Sequence, residues 1–147
     1  MSVLKIKKLR KDARVPLRAT VGSAGMDLYA CIEEAVTILP HEIRVIPTGI
    51  AIELESPDYV AYVFARSGLA IKNGIAPANC VGVIDSDYRG EVCVGLLNQT
   101  DNAFTVNPGE RIAQMVISPV ILPRIEVVEE LGDTDRGAGG FGSTGRK

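Results

Sequence analysis

Turn-forming residues interrupt this chain so closely that no helix of ordinary length can be drawn through it. Pro16, Pro40, Pro47-Thr48-Gly49, Ser56-Pro57-Asp58, Asn73-Gly74, Asn98 and the residues after it, and Asn107-Pro108-Gly109 each stop regular structure. Between them lie short apolar runs at 26–30, 35–39, 43–46, 50–54 and 59–64, with further runs opening at Asn79, Val92, Ala103, Ile112 and Ile125. Leu4-Lys5-Ile6-Lys7 alternates apolar and basic residues as a strand with one wet face does. Only 67–72 reads as a helical turn, with Ser67 as its cap and Asn73-Gly74 as its end. Many short strands at close spacing predict an all-β protein, a jelly-roll-like double-sheet β-barrel.

A chain of 147 residues favours one domain. Aromatic residues are 5% and Trp is absent, so the core has to be built from Val, Ile, Leu and Ala. The net charge is −2, and beyond residues 5–11 there is no basic run, so the electrostatic footprint of a nucleic-acid binder is missing. Cys31, Cys80 and Cys93 are an odd count without CxxC spacing, which argues against a disulfide framework and a zinc site and fits a reducing compartment. No apolar h-region follows the N-terminal charges, and no apolar stretch has the ~20 residues a membrane helix needs. The expectation is a cytoplasmic protein with no membrane and no nucleic-acid partner.

One stretch carries more chemistry than its shape requires. Gly82-Val83-Ile84-Asp85-Ser86-Asp87-Tyr88-Arg89-Gly90-Glu91-Val92 lies between apolar runs at 79–84 and 92–97 and reads as a β-hairpin. An Asp-rich hairpin tip is ordinarily a solvated turn, yet this one adds a phenol and a guanidinium. It is not a calcium loop: Asp85, Asp87 and Gly90 fit, but Arg89 stands where an oxygen ligand is needed and Leu96 where the bidentate Glu belongs.

Elsewhere, Arg66-Ser67-Gly68 opens the helical turn, where unpaired N–H groups favour phosphate, although capping alone also explains it. From Gly132 the composition changes, and five of the 15 glycines fall between Arg136 and Lys147. Residues 1–131 are therefore expected to form the barrel, and 132–147 a Gly-rich arm that is mobile when alone. The G-x-G-x-x-G at Gly137, Gly139 and Gly142 is no dinucleotide fingerprint, because too little chain follows it for a helix. Its N–H groups, with Arg136, Ser143 and Thr144, still suit an anion. Phe141 is either a trivial tail residue or one that docks, and an aromatic face can stack on a base.

Five segments in order resemble the trimeric dUTPase family. They are Ala24-Gly25-Met26-Asp27-Leu28-Tyr29-Ala30, Arg66-Ser67-Gly68-Leu69-Ala70, the stretch 82–92, Pro108-Gly109-Glu110-Arg111-Ile112-Ala113-Gln114-Met115, and Arg136-Gly137-Ala138-Gly139-Gly140-Phe141-Gly142-Ser143-Thr144-Gly145. The resemblance implies the same jelly roll. It also implies hydrolysis of dUTP to dUMP and pyrophosphate, which cleans the nucleotide pool and supplies dUMP for thymidylate synthesis. Asp85 is then the general base that activates water, with Gln114 near the α-phosphate. Tyr88 packs under the deoxyribose and leaves no room for a 2′-hydroxyl.

By the same resemblance Gly82, Val83, Ile84 and Cys93 meet the base, and Asn79 meets the base or the water network. Arg66, Ser67, Gly68, Arg136, Gly142, Ser143 and Thr144 grip the triphosphate, Phe141 stacks on the uracil, and Asp27 supports the network. The implied cofactor is Mg2+ held by substrate phosphates and water rather than by a protein cage. The implied partners are dUTP and two further copies of the chain, a homotrimer with shared sites. Arg111 and Glu110 read as structural and His41 as inert.

Two other classes fit the fold. A dCTP deaminase, or a bifunctional deaminase-dUTPase, would want a Glu base and bulky residues where Asp85-Ser86-Asp87-Tyr88 stands. A catalytically idle nucleotide-binding module would have lost Asp85 or the glycine arm, and both are present.

Overall fold

A computed structural model describes residues 3–79 and 81–140. The strands are β1 (Lys5–Lys8), β2 (Met26–Tyr29), β3 (Val36–Ile38), β4 (Ile43–Pro47), β5 (Ile50–Glu53), β6 (Tyr59–Phe64), β7 (Ile75–Pro77), β8 (Gly82–Ile84), β9 (Cys93–Asn98), β10 (Phe104–Val106) and β11 (Arg111–Pro119). One short helix, α1 (Ser67–Asn73), stands between β6 and β7. A four-stranded sheet runs β2-β11-β6-β8 and a three-stranded sheet β4-β9-β7, with pairs β1-β5 and β3-β10 completing the double-sheet jelly roll. All the ladders are antiparallel.

One hydrophobic cluster draws from both sheets: Leu28, Val63 and Met115 from the first, Ile46, Ile75 and Leu96 from the second. The period-2 pattern accounts for this. In β9 the residues Val94, Leu96 and Asn98 face inward and alternate with less buried ones. Each aliphatic side chain taken from water contributes about 1.5–3 kcal/mol, which offsets the ordering of the chain.

The register of β11 shifts between Arg111 and Ala113. A bulge of this kind lets Ile112 and Ala113 both be buried although they are adjacent. Beyond it, Gln114 is placed opposite Asp27 of β2.

Three expectations from the sequence need correction. The 79–97 stretch is no laddered hairpin, because β8 pairs with β6 while β9 lies between β4 and β7. The chain instead crosses from one sheet to the other, and a crevice opens where a ladder would have closed. Ser67 is the first residue of α1 and not its cap: Arg66 holds that position, with no side-chain cap bond. No strand forms at Ile125. Residues 120–129 have no ladder partner in the protomer, and Ile121, Ile125 and Val127 are exposed.

Candidate active site

The crevice between β8 and β9 holds a cavity of about 280 Å³. Asn79, Gly82, Val83, Ile84, Asp85, Tyr88 and Cys93 all line it. β8 is the edge of its sheet, so one side of its backbone bonds β6 and the other is available to a ligand. Gly82 makes the wall thin. A β-carbon there would stand 3.1 Å from Val63 Cβ and 3.2 Å from the Asn79 amide nitrogen.

The loop that leaves β8 is held by its own residues. Tyr88 N–H donates to Asp85 O at 3.2 Å, and Arg89 donates to the Ser86 and Tyr88 carbonyls at 2.7 and 3.0 Å. Arg89 thus closes the turn. The Tyr88 hydroxyl donates to Glu91 O at 3.0 Å, so the ring folds back along the loop. A β-carbon on Gly90 would overlap the Tyr88 hydroxyl oxygen, so only glycine leaves that place to the ring. Cys93 is exposed as a residue, but partial desolvation of its sulfur, and then the Glu91 carboxylate, push the thiol above its ordinary pKa.

A second cavity, of about 400 Å³, is lined by Gly25, Asp27, Arg66, Ser67, Gly68 and Gln114. Asp27 is its electrostatic centre: its carboxylate accepts from Arg66 Nε at 2.8 Å and from Arg111 at 3.2 Å. Gln114 donates to Ala65 O at 3.0 Å. The α1 N-terminus opens beside them, where first-turn N–H groups lack intrahelical partners.

The two cavities have no lining residue in common. Arg136 lines neither and donates to Gly139 O at 2.8 Å within an exposed turn. Phe141, Gly142, Ser143 and Thr144 lie outside the described residues. His41 lies in a turn away from both cavities, 3.0 Å from Asp101. Three residues assigned no part in the site by sequence stand beside these groups, one of them Arg111, which reads from sequence as structural. Arg111 is the second partner of Asp27, Glu91 lines the first cavity, and Arg10 pairs with Glu91 at 3.6 Å. Glu91 lay within the chemical stretch, but nothing in the pattern marks Arg10.

A family model described as dUTPase matches residues 11–145. The chain belongs to the dUTPase family. A deoxyuridine 5'-triphosphate nucleotidohydrolase of Hahella chejuensis is 53% identical over 141 residues, which cover 96% of this chain and 93% of the relative. Among solved structures, the dUTPase of Staphylococcus bacteriophage 80alpha with dUPNHPP superposes with a TM-score of 0.88 at 31% identity, covering 97% of this chain and 98% of that one. A mutant dUTPase of phage phi11 of S. aureus, described with a structural Mg(II) ion, superposes with a TM-score of 0.80 at 25% identity. It covers 89% of this chain and 99% of that one. These dUTPases share the jelly roll, and the crevice and the Asp27 cavity are built on it here.

Proposed function

We propose that this protein hydrolyses dUTP to dUMP and pyrophosphate. The observation that carries the reading is the convergence of Asp85, Tyr88, Asn79 and the open edge of β8 on one cavity, in a chain of the dUTPase family. Relatives named for this activity are about as long as this chain and half identical to it.

Each part of the site has a task. The uracil edge pairs with backbone groups of residues 83–85 and of the β9 start near Cys93. A site of fixed donors and acceptors penalises analogues that leave groups unpaired, and we assign to the same backbone walls the rejection of a C5 methyl. Tyr88 lies against the sugar and rejects a 2′-hydroxyl. Asp85 takes a proton from water as its oxygen attacks the α-phosphorus, and pyrophosphate leaves with the electron pair of the broken P–O bond. Gln114 stands near the α-phosphate. Arg66, Ser67 and Gly68, joined by Arg136, Gly142, Ser143 and Thr144 of the arm, meet charge on the phosphates. Phe141 of the same arm covers the base.

Mg2+ fits this arrangement as an ion carried by the nucleotide. Among the described residues no three His, Cys, Asp or Glu side chains gather to hold a metal, and Mg2+ keeps phosphate and water ligands readily. The chemistry it supplies when bound is neutralisation of the triphosphate.

The homotrimer that the family resemblance implies is our reading of the assembly, and it is supported by two cavities that share no lining residue within one subunit. The crevice of one subunit, the Arg66 corner of a second and the arm of a third together make one site. The exposed apolar residues of 121–131 suit burial against a neighbouring copy. Among the described residues no helix is long and apolar enough to cross a membrane. We assign the protein to the cytoplasm on its cysteines, an odd count without CxxC spacing that suits a reducing compartment.

The test is pyrophosphate release with Mg2+ from dUTP, dTTP, dCTP and UTP by the wild type and Asp85→Ala. Turnover of dUTP alone, lost in the variant, is expected. Ammonia release would mean a deaminase, and binding of dUTP without turnover would mean a binding module.

A further inference from the structure

We propose that Glu91, held by Arg10 and Gly49, is a positioning residue that sets Tyr88 and with it the selection of deoxyribose over ribose. The inference rests on the assignment of Tyr88 to the sugar.

The geometry forms a short chain of contacts. The Tyr88 hydroxyl donates to the Glu91 carbonyl, so the ring is referred to the Glu91 backbone. That backbone is fixed from the barrel side. Gly49 N–H donates to Glu91 Oε1 at 2.8 Å, and Arg10 approaches the other carboxylate oxygen at 3.6 Å. Arg10 is tied in turn to Cys31 O at 2.8 Å. One residue on, Val92 N–H donates to Ile50 O at 2.8 Å, and the buried Thr48 hydroxyl donates to Val92 O at 2.5 Å.

Gly49 is irreplaceable in this arrangement. Its φ is +72°, and a β-carbon would stand 2.6 Å from Cys31 Sγ and 2.7 Å from Ala13 Cβ. The turn between β4 and β5 can therefore approach Glu91 only as glycine.

The function follows from the leverage. Tyr88 is about half exposed and sits on a loop, where a free ring would sample several rotamers. Its hydroxyl bond leads to a point that two segments far from it in sequence hold in place: Arg10 and the 48–50 turn. Exclusion of a 2′-hydroxyl depends on how closely the ring lies against the sugar, so a ring allowed to retreat would admit UTP. The carboxylate is well suited to the task, because its charge-assisted bond to Gly49 N–H is of the stronger kind and the Arg10 guanidinium adds an ion pair.

The experiment measures kcat/KM for dUTP and UTP in the wild type, Glu91→Ala, Glu91→Gln, Tyr88→Phe, Tyr88→Ala and the double variant Tyr88→Phe/Glu91→Ala. The dUTP/UTP ratio is the readout, because a loss of folded protein scales both substrates alike. We expect Glu91→Ala to lower the ratio roughly five- to tenfold, the range that one lost positioning bond gives. Glu91→Gln, which keeps an acceptor for Gly49 N–H, falls less. On a Tyr88→Phe background Glu91→Ala adds little, since the link it would break is already gone.

An unchanged ratio in Glu91→Ala and Glu91→Gln beside a lowered one in Tyr88→Ala overturns the proposal alone. So does a full additional loss in the double variant. An unchanged ratio in Tyr88→Ala overturns the sugar assignment, and the proposal with it.

Discussion

Gly25 lies so close to Gln114 that a β-carbon on it would overlap the amide oxygen of that side chain. The glycine thus fixes where Gln114 can be. The Gln114 amide is pinned by its bond to Ala65 O on one side and by the Gly25 backbone on the other. Gly25→Ala must displace the amide from the Asp27 cavity. Its kcat/KM for dUTP is expected to fall about tenfold or more, equivalent to ~1.4 kcal/mol of transition-state stabilisation. Gln114→Ala on the Gly25→Ala background should then cost little more. Steady-state kinetics of the cycle check it, and additive losses would sink the idea.

Asp27 serves two arginines from a half-buried position. Its side chain is 15% exposed, against 26% for Arg66 and 52% for Arg111. Asp27→Ala leaves the Arg66 guanidinium without the anion that orients it. We expect a stability loss on the order of 1–3 kcal/mol, read as a lower denaturation midpoint, and a raised KM for dUTP as Arg66 loses its aim. An Arg111→Ala variant should lose less of both, because that side chain is the more exposed partner.

How much of this was legible depends on how local each feature is. The 59–64 run coincides with β6, and the glycine end of α1 lies at Gly74, with φ +65°, because period and turn chemistry are properties of neighbours in the chain. The partners of a strand are not. Nothing in the 79–97 sequence says that β8 and β9 join different sheets, since that choice is made by β6, β4 and β7. The apolar run opening at Ile125 is real, but a strand needs a neighbour and the protomer offers none. Asp85, Tyr88 and Asp27 were legible because family motifs carry them. Gly25 lies in the same motif as Asp27, but its contact with Gln114, like that of Arg10 with Glu91, is made through space, and a single sequence holds no record of that proximity.

The buried Asn98 is the polar counterpart of the aliphatic core. Its amide nitrogen donates to Ile38 O at 3.1 Å and Asn102 O at 2.8 Å, and its oxygen accepts from Thr100 N–H at 3.0 Å and the Thr100 hydroxyl at 2.8 Å. It therefore ties the end of β9 to β3 and shapes the 99–102 turn. Asn98→Ala removes all four bonds, leaving the Thr100 hydroxyl and Asn102 O their mutual bond at 3.0 Å, and should cost about 2–4 kcal/mol in denaturant unfolding. A neutral outcome would mean that water replaces the amide there.

Cys93 reports on the Glu91 carboxylate without any substrate. Burial is the first cause of its raised pKa and the Glu91 charge the second, with Arg10 opposing. The thiol is therefore protonated at neutral pH, and since the thiolate is the nucleophile, alkylation should be slow there and accelerate only above the ordinary thiol value of about 8.5. The sign of the stability effect is the same. The folded state holds the proton longer than the unfolded chain, so the contribution is whole below the unfolded pKa and is lost as pH rises through the folded one. Removing the charge in Glu91→Gln should move the alkylation profile to lower pH. Peptide-mapped iodoacetamide rates at Cys93 between neutral and alkaline pH test this, and profiles that coincide in wild type and variant would show that the carboxylate does not face the thiol.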